Sequence, residues 1–129
     1  MTKREKIAYW LKSADYDWQV AGHLFEKGDY PYALFLGHLT IEKSLKALYV
    51  DRLDEAPPFV HRLTYLAEKI DLDLSQERME MMEIVTDFNL EARYPDEKFS
   101  FHKKCTKEFT EANMEMIKEL REWLLLQIR

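Results

Sequence analysis

Arg93 and His102 are residues whose types could together act on a phosphate, a guanidinium to hold the oxyanion and an imidazole to move a proton. Arg93 stands in Glu91-Ala92-Arg93-Tyr94-Pro95-Asp96. Pro95 has no N–H and drives Tyr94 out of the α region, so Arg93 is expected at a helix end beside a loop. Lys98, His102, Lys103 and Lys104 make a basic cluster there on an otherwise acidic chain, interleaved with Tyr94, Phe99 and Phe101. The arginine fork suits phosphate, and the rings suit base stacking. The same residues also suit a purely structural arrangement, in which Arg93 bonds the last carbonyls of its helix or pairs with Asp96 and the rings anchor a loop.

Glu42 and Lys46 form a second pair of interest. They lie one helical turn apart in the favourable order, so an intrahelical ion pair is expected, worth about a few tenths of a kcal/mol if exposed. The functional alternative has them lining a polar groove near Arg93 and binding a nucleotide or a partner. His61 follows Pro57-Pro58 and precedes a short apolar-periodic stretch, where capping or loop packing is the simplest role. His38 lies on an apolar stripe and reads as a core or dimer-interface histidine, and His23 as a surface group.

Other chemistries fail on spacing. No Asp or Glu has a histidine three residues later, as a di-iron bundle needs, and no two histidines are four apart, as a helical zinc pair needs. The single Cys105 makes neither a multi-thiolate site nor an intramolecular disulfide. Gly22, Gly28 and Gly37 are too far apart to cradle a phosphate, and no nucleophile elbow is present. Neither a metal nor a cofactor is expected.

The elements that must position these residues follow from periodicity. From about Thr2 to Lys27, Ile7, Trp10, Leu11, Ala14, Trp18, Ala21, Leu24 and Phe25 recur at helical steps, until Gly28-Asp29-Tyr30-Pro31 stops the run. A second helix, about Pro31 to Leu53, carries Leu34, Phe35, His38, Ile41, Leu45, Leu48 and Tyr49, and pairs with the first as an antiparallel hairpin. A connector leaves room for a short helix from His61 to Ile70. Ser75 is a candidate N-cap for a helix through Met82, Val85, Phe88 and Ala92 to Arg93. The last helix, from about Lys103 or Cys105 to the C-terminus, carries Phe109, Met116, Ile117, Leu120, Trp123 and Leu124. The expected fold is all-α: an up-and-down four-helix bundle with one additional short helix, and with Trp10, Trp18, Ile41, Leu45, Phe88, Leu120 and Trp123 largely buried. Tyr32, Leu36 and Leu39 outside the second helix's stripe, with Met79, Met81 and Met82 crowding the fourth, predict a homodimer that covers the excess.

Length and charge bound the rest. One domain spanning residues 1–129 is expected, at a formal charge of −5 that argues against a broad basic face for duplex nucleic acid. With 47% hydrophobic and 33% charged residues and only three glycines, the chain reads as an amphipathic helical domain. No apolar run of signal-peptide or membrane-spanning length begins it, so a soluble cytoplasmic protein without membrane contact is expected.

Taken in order, Glu42-Lys43-x-Leu45-Lys46-Ala47-Leu48, His61-x-Leu63-x-x-Leu66 and Arg93-Tyr94-Pro95-Asp96 resemble the HEPN domain family. The resemblance covers nearly the whole chain. It implies a helical bundle that usually pairs as a dimer, often as the toxin or substrate-binding half of a module with a minimal nucleotidyltransferase. Some members of the family are RNases with an Arg, four to six residues, then His. Here eight residues separate Arg93 from His102, a departure that weakens the nuclease expectation. The reading is therefore a binding and interaction module rather than a stand-alone catalyst, recognising a nucleotide or nucleic-acid phosphate through Arg93, Tyr94, Asp96, Lys98, His102, Glu42 and Lys46. A nucleotidyltransferase or antitoxin would be its partner. The alternatives are a metal-independent endoribonuclease toxin using Arg93 and His102, and a structural dimerisation domain without ligand.

Overall fold

The computed structural model describes residues 1–128 and, among them, contains six helices and no strand. They are α1 (Lys3–Glu26), α2 (Tyr30–Leu53), α3 (Leu63–Lys69), α4 (Gln76–Arg93), α5 (Ser100–Lys104) and α6 (Lys107–Leu126). Local chemistry sets most boundaries. Thr2 caps α1 through a capping box with Glu5. Its far end closes in a Schellman motif, Asp29 N–H to Leu24 O and Gly28 N–H to Phe25 O, with Gly28 at φ +82°. Pro31 lies in the first turn of α2, where its missing N–H costs nothing. Ser75 and Thr106 cap α4 and α6 by accepting from Arg78 N and Phe109 N.

The expected last helix is two pieces, which makes two short helices in the chain rather than one. Cys105 ends α5, Thr106 restarts the backbone in an extended conformation, and the hydroxyl cap of Thr106 makes the restart favourable. Phe101, buried on α5, packs on Phe88 of α4 at 5.8 Å between ring centroids. Arg129 lies outside the described residues.

α2 is the spine. It has no single apolar face, its polar His38, Glu42 and Lys46 being buried too, and neighbours cover it all round: α1, α3, α4, α5 and α6 all pack on it, and 14 of its 24 residues are buried. α1 brings only Ala14, Asp17 and Ala21 to full burial and lies on α2 as a flank. Lys43 of α2 fastens it, at 2.7 Å from Asp17 and 2.8 Å from the Ser13 hydroxyl. On the other side Gly37 lets α6 come close, since a Cβ there would lie 2.6 Å from Ile117 Cδ1.

Ile41, Leu45, Phe88 and Leu120 are buried as expected, but Trp10, Trp18 and Trp123 are only half-buried. Each indole sits at the rim with a cation over its face: Lys46 over Trp10, Arg121 over Trp18 and Arg78 over Trp123. A large ring with a polar N–H gains from covering a seam and keeping one face for a cation. Met82, expected as surplus, is fully buried in the core, whereas Met79 and Met81 are half-buried. Among the described residues no helix is long and apolar enough to cross a membrane.

Candidate functional site

Phe35, His38, Glu42 and Lys46 recur at three- and four-residue steps on α2, which aligns them along one face of the helix. Glu42 is the hub. Its Oε2 takes Lys46 Nζ at 3.0 Å and its Oε1 takes the Nδ1–H of His61 at 2.8 Å, with both the Glu42 and the Lys46 side chains 6% exposed. The intrahelical pair expected from sequence is present, and it is buried. Burial removes water from both charges, so each depends on the other far more than a surface pair would.

His61 neither caps a helix nor merely packs a loop. Arg62 is the N-cap of α3, and the hydroxyl of Thr86 accepts from Leu63 N. His61 is clamped twice on α2 instead: its ring donates to Glu42, and its carbonyl accepts from His38 Nε2–H at 2.9 Å. Those acceptors fix both tautomers, since a carboxylate and a carbonyl can only accept. His61 Nε2 is therefore left as the outer atom of a side chain that is 60% exposed. His38 is wholly buried with its Nδ1 unpartnered. Burial pushes its pKa below the ordinary value, against the pull of the His61 carbonyl and Glu42 and with a further push from His61 and Arg93.

Arg93 is the last residue of α4, as the Tyr94-Pro95 step predicts. Its Nε donates to Asn89 O at 2.9 Å and an Nη to Asn89 Oδ1 at 2.6 Å. The guanidinium lies 5.0 Å from the Phe35 ring centroid and 5.2 Å from that of Tyr94. Among the described residues no carboxylate pairs with it, Asp96 included. Asp96 instead accepts from Ser100 N at 2.8 Å, and that bond holds its carboxyl below the usual range. Tyr94 and Lys98 are exposed.

The eight residues after Arg93 fold back, so that His102 Nε2–H donates to Ala92 O at 3.1 Å, on the residue before Arg93. Its ring packs on Phe99 at 5.5 Å. His102 is thereby brought to the end of α4, but with Nε2 spent on a backbone carbonyl. Lys104 turns to the Phe109 ring at 5.3 Å. The structure thus brings Glu42 and Lys46 together, and His102 to the backbone beside Arg93. It gives Asp96 and Lys98 no contact with that guanidinium.

Asn89 and Phe35 complete the Arg93 setting and were not singled out in the sequence. Asn89 was legible as the residue one turn before Arg93. Phe35 and the 19-residue reach from Glu42 to His61 left no local signal. Among the described residues no three His, Cys, Asp or Glu side chains are grouped to hold a metal ion.

Comparison with known proteins agrees with this architecture. The crystal structure of TT1696 from Thermus thermophilus superposes with a TM-score of 0.80 at 19% identity, covering 95% of this chain and 98% of that one, and so shares the fold. No curated protein matches the sequence. The family model described as HEPN domain matches residues 7–128, a span that includes Glu42, His61, Arg93 and His102. The chain belongs to the HEPN domain family.

Proposed function

We propose that this HEPN chain, one domain over residues 1–129 whose long helices form an up-and-down bundle, is a binding and interaction module that recognises a phosphate of a nucleotide or nucleic acid at Arg93. It works as a homodimer with a separately encoded nucleotidyltransferase or antitoxin, in the cytoplasm. The observation that carries this reading is the state of the Arg93 guanidinium. Its acceptors on Asn89 are neutral, Phe35 and Tyr94 flank it, and no carboxylate offsets its charge among the described residues. Asn89 holds the fork in one orientation and leaves its remaining N–H groups to an oxyanion. Exposed Lys98 and Lys103 add positive potential to the same loop and short helix.

The test is titration of AMP and of a short single-stranded RNA into wild type, Arg93→Ala and His102→Ala. Arg93→Ala is expected to weaken binding by roughly 1.5–3 kcal/mol, the value of a charge-assisted hydrogen bond. His102→Ala is expected to change little. A second reading, a metal-independent endoribonuclease, draws on the contact between His102 and Ala92 O beside Arg93. Wild-type RNA cleavage in chelator, lost in both variants, would replace the binding reading with that one.

A further inference from the structure

Away from Arg93, a cavity of about 270 Å³ opens between α1, α2 and the connector that leads to α3. Tyr9 and Trp10 form one wall in an edge-to-face pair at 5.3 Å, and Val50 and Lys46 form the floor. Pro57 and Phe59 line it from the connector. Phe59 is fully exposed to water.

The cavity is built rather than left over. Pro57 and Pro58 stiffen the connector, Val60 N–H turns back onto Pro58 O at 3.0 Å, and His61 is clamped to α2 by two hydrogen bonds. Phe59 is therefore held out in solvent by short-range bonds on its C-terminal side, at the edge of a cavity that two further aromatic rings also line. Apolar side chains that a fold leaves wet on a braced segment mark a surface made to be covered. A preformed wall also lowers the ordering cost of covering it.

The charges in the lining have one sign. Lys6 and Lys46 line the cavity and no acidic side chain does. Lys46 is already paired with Glu42 at 3.0 Å, whereas Lys6 is exposed and has no ion pair among the described residues. Flat aromatic walls call for a flat ring, and an uncompensated ammonium calls for a negative charge. The volume lies just below the usual range for ligand pockets, which limits the ring system to one or two fused rings. We propose that this cavity is a second binding site, for a small aromatic acid whose ring lies among Tyr9, Trp10 and Phe59 and whose anionic group meets Lys6.

The test uses 2-naphthalenesulfonate as an aromatic anion, 2-naphthol as its neutral analogue and cyclohexanesulfonate as an anion without an aromatic ring. Each is titrated into the full chain and followed by amide chemical shifts. Saturable shifts for 2-naphthalenesulfonate, centred on Tyr9, Trp10, Lys46 and Phe59, are expected, with weaker binding of both analogues. Phe59→Ser should weaken the sulfonate about tenfold, and Lys6→Gln should weaken it while leaving 2-naphthol unchanged. Both side chains are exposed, so the fold survives either change, and an unaltered helical circular dichroism spectrum checks this. No saturable shift at millimolar probe, shifts centred elsewhere, equal binding of either analogue, or affinities untouched by both substitutions would overturn the site.

Discussion

Glu42 and Arg93 both act on His38, yet they stand in opposite electrostatic situations. Glu42 is a buried anion surrounded by matching groups, Lys46 at 3.0 Å and His61 at 2.8 Å. Arg93 is a half-buried cation held by neutral acceptors and aromatic faces. A charge whose partners are all internal serves the fold, because removing it strands those partners in a medium that solvates them poorly. A charge whose partners are neutral keeps its field, and the proposed phosphate site at Arg93 draws on that field. The difference separates two charged motifs, Glu42 with Lys46 and Arg93, for both of which the sequence leaves a structural and a functional reading open.

The largest expected effect tests the Glu42 half. Glu42→Ala should destabilise the protein by about 3–5 kcal/mol in urea unfolding, since it leaves Lys46 buried and unpaired. Replacing both residues by apolar ones, Glu42→Leu with Lys46→Met, should cost clearly less than the single change. If the single variant unfolds like wild type, Glu42 is not the hub of the fold and the contrast with Arg93 collapses.

The Arg93 half predicts the converse. Arg93→Ala should cost affinity for AMP, by the roughly 1.5–3 kcal/mol of a charge-assisted bond, with little change in the unfolding midpoint. Arg93→Lys should not restore that affinity, because an ammonium cannot reproduce the planar fork. A variant that lost stability instead of affinity would make Arg93 a structural residue like Glu42.

His61→Ala should be milder, about 1 kcal/mol in stability, because the exposed ring shares its interaction with water. The mildest effect is gradual and depends on pH. Folding lowers the pKa of buried His38, so the unfolded chain binds that proton more readily. This contribution to stability is complete above the ordinary histidine value near 6.5 and is lost as pH falls through it toward the lower folded value. Thermal midpoints measured from pH 8 to pH 5 should show that acid limb, and His38→Gln should flatten it. A limb of equal size in the variant would move the titration to another group.

The sequence by itself determined several features that rest on neighbours along the chain. The Gly28 turn, Pro31 in the first turn of α2, the Ser75 cap and the stop at Arg93 are local steric and hydrogen-bonding facts, and a few adjacent residues state them. The four long apolar stripes are legible for the same reason, as is the family to which their order belongs. Only the tertiary structure decided what those stripes carry. Thr106 could restart a helix or continue one, and the docking of Phe101 on Phe88 accompanies the choice. Glu42 and Lys46 have the same spacing whether solvated or buried, and their burial comes from α1 and the connector closing over α2. The bond from Glu42 to His61 and the cover of Phe35 by Arg93 join residues far apart in the chain. Such contacts depend on how helices pack, and spacing along one helix carries no information about what arrives from another.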